Sequence, residues 1–150
     1  MSVNPFDIQS AILAKHAQHA VLVHFPIALF IAGVGSDLIA RWTKRRGWAD
    51  AAYYNLRLAA ISTVPAIATG ILAWQFALQG QRLKGILLQH LMLALVSTGL
   101  IWSTWWLHLR ARREGNQKSA LLIPLELLGL VAVALTGHLG GFLSGVNGRG

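Results

Sequence analysis

Three histidines in this sequence fall where histidine is expensive to keep. His24, His90 and His138 each lie inside a long apolar run, and an ionisable side chain in such a run marks a functional position. Each is displaced from the centre of its run by about seven residues, which at helical rise is roughly 10 Å. If successive runs alternate in direction, the three displacements point to the same side. Two imidazoles from different helices can serve as axial ligands of haem iron, because bundles build cofactor sites from facing helices. A third can bond a propionate or a quinone carbonyl. The same three could instead hold Zn or Cu. Each could also do no more than hydrogen-bond a Ser, Thr or backbone carbonyl across the bundle, the simplest reading for any one of them taken alone.

The surroundings of these histidines add detail. Thr136-Gly137-His138-Leu139-Gly140-Gly141 strips bulk from around one imidazole, which admits a flat cofactor or a close neighbouring helix. Gly33, Gly35, Gly70 and Gly129 read as packing glycines on the same reasoning. His19 precedes His24 at the edge of the first run and is a further cofactor candidate. Gln75 and Gln89 fall in the same half and could donate to a cofactor. His16 reads as solvated, and His108, beside Arg110, as a boundary residue. The other half holds the carboxylates. Asp37 stands four residues before Arg41, the spacing of a helical ion pair. Glu126 is expected to pair with Arg57 or Arg41.

What must position these residues follows from composition. The 150 residues are 55% hydrophobic and only 12% charged, about half the charge of a soluble domain. A bilayer core needs about 20 apolar residues in helical form. Four runs qualify: Val21–Trp42, Leu58–Leu78, Ile86–Leu107 and Ala120–Phe142. None alternates with period two, so they are helices rather than barrel strands. The expected fold is an all-α membrane protein, a four-transmembrane-helix up-down bundle over residues 21–143. Residues 1–20 would form an amphipathic or flexible segment on the outer face, and residues 144–150 a flexible tail. Pro26, Pro65 and Pro124 lie inside the runs, where lipid-embedded helices tolerate them. The first 20 residues lack the basic start and small-residue cleavage site of a secretory signal.

Charge and cysteine content narrow the functions. With no cysteine, disulfides, thiolate metal sites and Cys-ligated iron–sulfur clusters are excluded. The net charge of +8 does not indicate nucleic acid, because the basic residues cluster between apolar runs as membrane flanks do. Nine of the thirteen Lys and Arg fall in the two connections at one end: Arg41, Lys44, Arg45, Arg46 and Arg57, then Arg110, Arg112, Arg113 and Lys118. That end is expected to be cytoplasmic, with both termini outside. Trp42, Trp48, Tyr53, Tyr54, Trp105 and Trp106 form an aromatic belt at the same end. So little mass lies outside the membrane that independent enzymatic turnover is not expected.

His19-Ala-Val-Leu-Val-His24-Phe25-Pro26-Ile27-Ala28-Leu29 resembles the opening of a family of bacterial predicted membrane proteins of unknown function. His90, at the start of the third helix, and the Gly137–Gly141 stretch Gly-His-Leu-Gly-Gly resemble further features of that family. The likeness spans nearly the whole chain, with Ala20 standing where the family usually has proline. It implies four helices, a place in a bacterial cytoplasmic (inner) membrane, and, because members are sometimes fused to Rieske domains, a link to electron transfer.

Two functional expectations result. The first is a b-type cytochrome-like subunit with haem b in the outer leaflet, held by His24 and either His90 or His138. His19 would stand nearby, and a membrane or periplasmic partner protein or quinone would exchange the electrons. The second is a non-redox accessory or scaffolding subunit of a larger membrane complex. A third is a metal-binding membrane protein using His24, His90 and His138.

Overall fold

The computed structural model describes residues 15–76, 78–80, 82–115 and 121–144. They form five helices and, among the described residues, no strand: α1 (Lys15–Leu22), α2 (His24–Thr43), α3 (Arg46–Phe76), α4 (Gly85–Arg113) and α5 (Leu122–Leu143). Most of the 1–20 segment and all but residue 144 of the proposed tail lie outside the described residues. Residues 15–20 are helical.

α1 and α2 together make the first spanning unit. Pro26 explains the interruption between them. Its ring displaces the carbonyl of Leu22 and it offers no N–H. The helix therefore breaks at Val23, where the bond from Ile27 N–H to Val23 O stretches to 3.5 Å. Counting across this break, four helices are long and apolar enough to cross a membrane: Gln18–Thr43, Arg46–Phe76, Gly85–Arg113 and Leu122–Leu143. Pro65 sits inside α3. Pro124 falls in the first turn of α5, where an N–H has no intrahelical partner to lose.

α3 and α4 outrun their apolar runs. The 31 residues of α3 span roughly 46 Å, against a hydrocarbon core of about 30 Å. The charged stretch Arg46–Arg57 stays helical because one of its faces packs: Ala52 and Leu56 are fully buried. Only Lys44 and Arg45 separate α2 from α3, and Lys44 turns the chain in a left-handed conformation with its N–H on Ala40 O. Arg57 is thus helical rather than in a connection.

α2 packs along α3, and α4 along α5. These two hairpins meet on an apolar layer of Phe30, Val34, Leu56, Ala59, Ala60, Ile101 and Val133. Phe30 is completely buried because Gly129 lets it in. A Cβ on Gly129 would stand 2.6 Å from Phe30 Cζ. The layer divides the bundle into a basic end, with the α2–α3 turn and the end of α4, and a far end with His19, His24, His90 and His138. Trp42, Trp48, Tyr54 and Trp106 are exposed at the basic end, as aromatic residues of a lipid boundary are.

Candidate functional site

At the far end, two histidines are seated alike. His19, on α1, donates its Nδ1 proton to Ala66 O of α3 at 3.1 Å, with Thr69 Oγ1 at 3.3 Å. His90, on α4, donates its Nδ1 proton to Thr136 O of α5, also at 3.1 Å. A carbonyl can only accept, so in both neutral rings the proton sits on Nδ1 and the lone pair on Nε2. In both cases the residue four positions after the carbonyl is glycine. The Cε1 of His19 is 3.0 Å from where a Gly70 Cβ would stand, and that of His90 is 3.3 Å from a Gly140 Cβ. Each imidazole therefore lies against a helix ridge opened by one missing side chain. Both rings are half-buried. Ser97 and Thr136, hydroxyl to hydroxyl at 2.8 Å, tie α4 to α5 beside the His90 seat.

The other two sequence candidates are placed differently. His24 is exposed, and its Nδ1 bonds Ala20 O of its own helical run at 2.6 Å. His138 is exposed and stands edge-on to Phe142, with ring centroids 5.0 Å apart. The structure thus seats His19 against α3 and His90 against α5, and leaves His24 and His138 exposed.

At the basic end, three helices meet on charged groups. Arg41 Nε donates to Asp37 Oδ2, the expected i,i+4 pair on α2. Glu126 of α5, fully buried, is bonded by its Oε1 to His108 Nε2 of α4 at 2.7 Å. This corrects two expectations. Glu126 pairs with neither Arg57, which is exposed on α3, nor Arg41. His108 is no boundary residue, because α4 runs on to Arg113 and its side chain is only 10% exposed. One donor atom from each of Asp37, His108 and Glu126 lies within 4.8 Å of the others. Above them, Arg112 bonds Asp50 at 2.7 Å and stacks 4.8 Å from the centre of the Tyr53 ring. The signal that could have found this group was available. Asp37 and Glu126 are the two carboxylates in apolar runs, and each had a helix facing it with one histidine in the same half.

The chain matches the family described as "Predicted membrane protein (DUF2231)" over residues 15–149 and belongs to it. No curated protein and no solved structure matches it.

Proposed function

We propose that this integral membrane protein is a b-type haem subunit that passes electrons to or from a membrane or periplasmic partner protein or quinone, with His19 and His90 as the axial pair. The observation that carries the reading is the twin seating of these two rings. Ligating histidines characteristically donate the other ring proton to a carbonyl or carboxylate, which fixes the tautomer and aims the lone pair. His19 and His90 both do so, from different helices, in the same half of the bundle. Each ring keeps its Nε2 lone pair for iron, while His24 and His138, on the surface, take the outlying places. Haem bound there would supply reversible one-electron transfer. The chain's own part is to fix two imidazoles by backbone carbonyls, to exclude water with the apolar layer, and to present the far end to a partner. The basic end faces the cytoplasm of a bacterial inner membrane on this reading, since Lys and Arg collect there. The protein is a carrier and not an enzyme.

The experiment is a reduced-minus-oxidised absorbance spectrum of the protein purified in mild detergent and reconstituted with haem. Sharp reduced bands are expected. They should vanish in His19→Ala and in His90→Ala and persist in His24→Ala and His138→Ala. A colourless protein after reconstitution overturns the haem reading and favours an accessory subunit. Loss of the bands only in His24→Ala or His138→Ala overturns the assignment of the pair.

A further inference from the structure

The basic end carries a second site, built from residues the haem reading does not use. Asp37, His108 and Glu126 reach one point from α2, α4 and α5, each offering a donor atom within 4.8 Å of the other two. Donors around a divalent ion with bonds near 2.1 Å stand about 3.0–3.4 Å apart, so small side-chain rotations bring these three into a coordination shell.

An independent observation points to a ligand. Glu126 is fully buried, and its Oε2 has no hydrogen-bond partner among the described residues. A buried carboxylate oxygen without a donor is costly. His108 already serves Oε1, and Arg41 serves Asp37. A cation between the three groups would satisfy Oε2 directly.

There is also a way in. A cavity of about 10 Å³, room for a single ion or water, is lined by Asp37, Tyr53, His108, Ala111, Arg112 and Leu122. It lies at the basic end, between α2, α3, α4 and α5, with Arg112 exposed at its edge.

We propose that Asp37, His108 and Glu126 bind one divalent transition-metal cation of the Zn²⁺, Mn²⁺ or Fe²⁺ class. One imidazole and two carboxylates suit that class. Ca²⁺ and Mg²⁺ take oxygen ligands, and Cu⁺ takes sulfur. The charges also balance. Two carboxylates neutralise a divalent ion, and Arg41, whose side chain is 26% exposed, can leave Asp37 for the basic rim. The ion would pin α2, α4 and α5 together at the end where the two hairpins otherwise share few side-chain bonds.

The test uses the full chain in detergent, washed with chelator and titrated with Co²⁺, a spectroscopic stand-in for Zn²⁺, with Zn²⁺ itself as competitor. One equivalent of Co²⁺ is expected to bind with visible d–d bands of a mixed nitrogen–oxygen site, and Zn²⁺ should displace it. Glu126→Gln and Asp37→Asn should each weaken binding at least about tenfold. His108→Gln should lose the nitrogen signature from the spectrum. His90→Gln, which removes a proposed haem ligand, should leave the Co²⁺ bands intact, so this site stands or falls apart from the haem reading. Absence of stoichiometric Co²⁺ and Zn²⁺ binding in a wild-type protein shown to be helical overturns the proposal. So does binding that survives unchanged in both Glu126→Gln and Asp37→Asn.

Discussion

The two ends of this bundle hold their histidines by different means. At the basic end, His108 bonds another side chain, the Glu126 carboxylate, which has no access to solvent. At the far end, His19 and His90 bond backbone carbonyls of neighbouring helices. Those carbonyls lie inside α3 and α5, where each also accepts the helical N–H four residues on. The difference lies in what is left behind when a histidine is removed. At the basic end a buried carboxylate loses its donor. At the far end a carbonyl keeps its helical bond and loses only an extra one. The basic end is therefore where the fold is sensitive to its ionisable groups. The far end can give its imidazoles to a ligand at little cost to the fold.

The sharpest test of that contrast is His108→Ala. Removing the donor of a fully buried acceptor costs about 3 kcal/mol, and unfolding of the detergent-solubilised protein should show a loss of that size. Replacing both partners, His108→Leu with Glu126→Leu, should recover most of it, because no unpaired polar group then remains buried. A double variant as unstable as the single one would mean that His108 acts by packing, and the contrast would fail.

A smaller effect is expected at the layer between the ends. In Gly129→Ala the new methyl would meet Phe30 Cζ at 2.6 Å and Cε1 at 2.8 Å. Phe30 is completely buried and cannot swing clear, so overpacking of about 1–3 kcal/mol is expected in the same unfolding measurement. Gly33 meets Leu56 in a similar way on the other hairpin. If both ends are held independently, Gly129→Ala should lower stability without altering either the haem spectrum or Co²⁺ binding.

Much of this architecture is legible in the sequence, for a physical reason. A spanning helix must be apolar over a fixed length, so four runs of that length announce four helices, and the structure has them. Position along the bundle is legible too, because helical rise is constant: His24, His90 and His138 count to one half, Asp37 and Glu126 to the other. Two things were not legible. Hydropathy cannot see a helix continue past the bilayer. By hydropathy the Arg46–Arg57 stretch is connection and His108 boundary, though both regions are helical. Rotation about a helix axis is also invisible in a run that is apolar all round. His24 and His90 count to the same half of the bundle, yet the His90 ring is half-buried and the His24 ring exposed. The Ala66–Gly70 and Thr136–Gly140 spacings, a carbonyl and a glycine one turn later, mark the seats once the structure is known.

At the far end itself, Gly140→Ala should act on the ring rather than on the fold. The added Cβ would lie 3.3 Å from His90 Cε1, so the imidazole must shift and its bond to Thr136 O must weaken. The loss should be no more than about 1 kcal/mol, the net worth of one hydrogen bond. On the haem reading, the same substitution should displace the reduced bands noticeably, because it moves a ligand. Unchanged bands beside a measurable stability loss would make the glycine a packing residue only.

The smallest effect belongs to the histidines on the surface. His24 bonds Ala20 O of its own helical run and is exposed, and His138 is exposed beside Phe142. Neither ring makes a hydrogen bond from one spanning unit to another among the described residues. His24→Ala and His138→Ala should each change stability by no more than about 0.5 kcal/mol, as surface substitutions do. The comparison with His90→Ala then separates depth from seating, since His24 and His90 both lie in the half of their spans away from the basic end. If His24→Ala proves as costly as His90→Ala, depth governs, and a partner or lipid headgroup must hold the His24 ring. If it is silent while His90→Ala is not, the carbonyl seat distinguishes them.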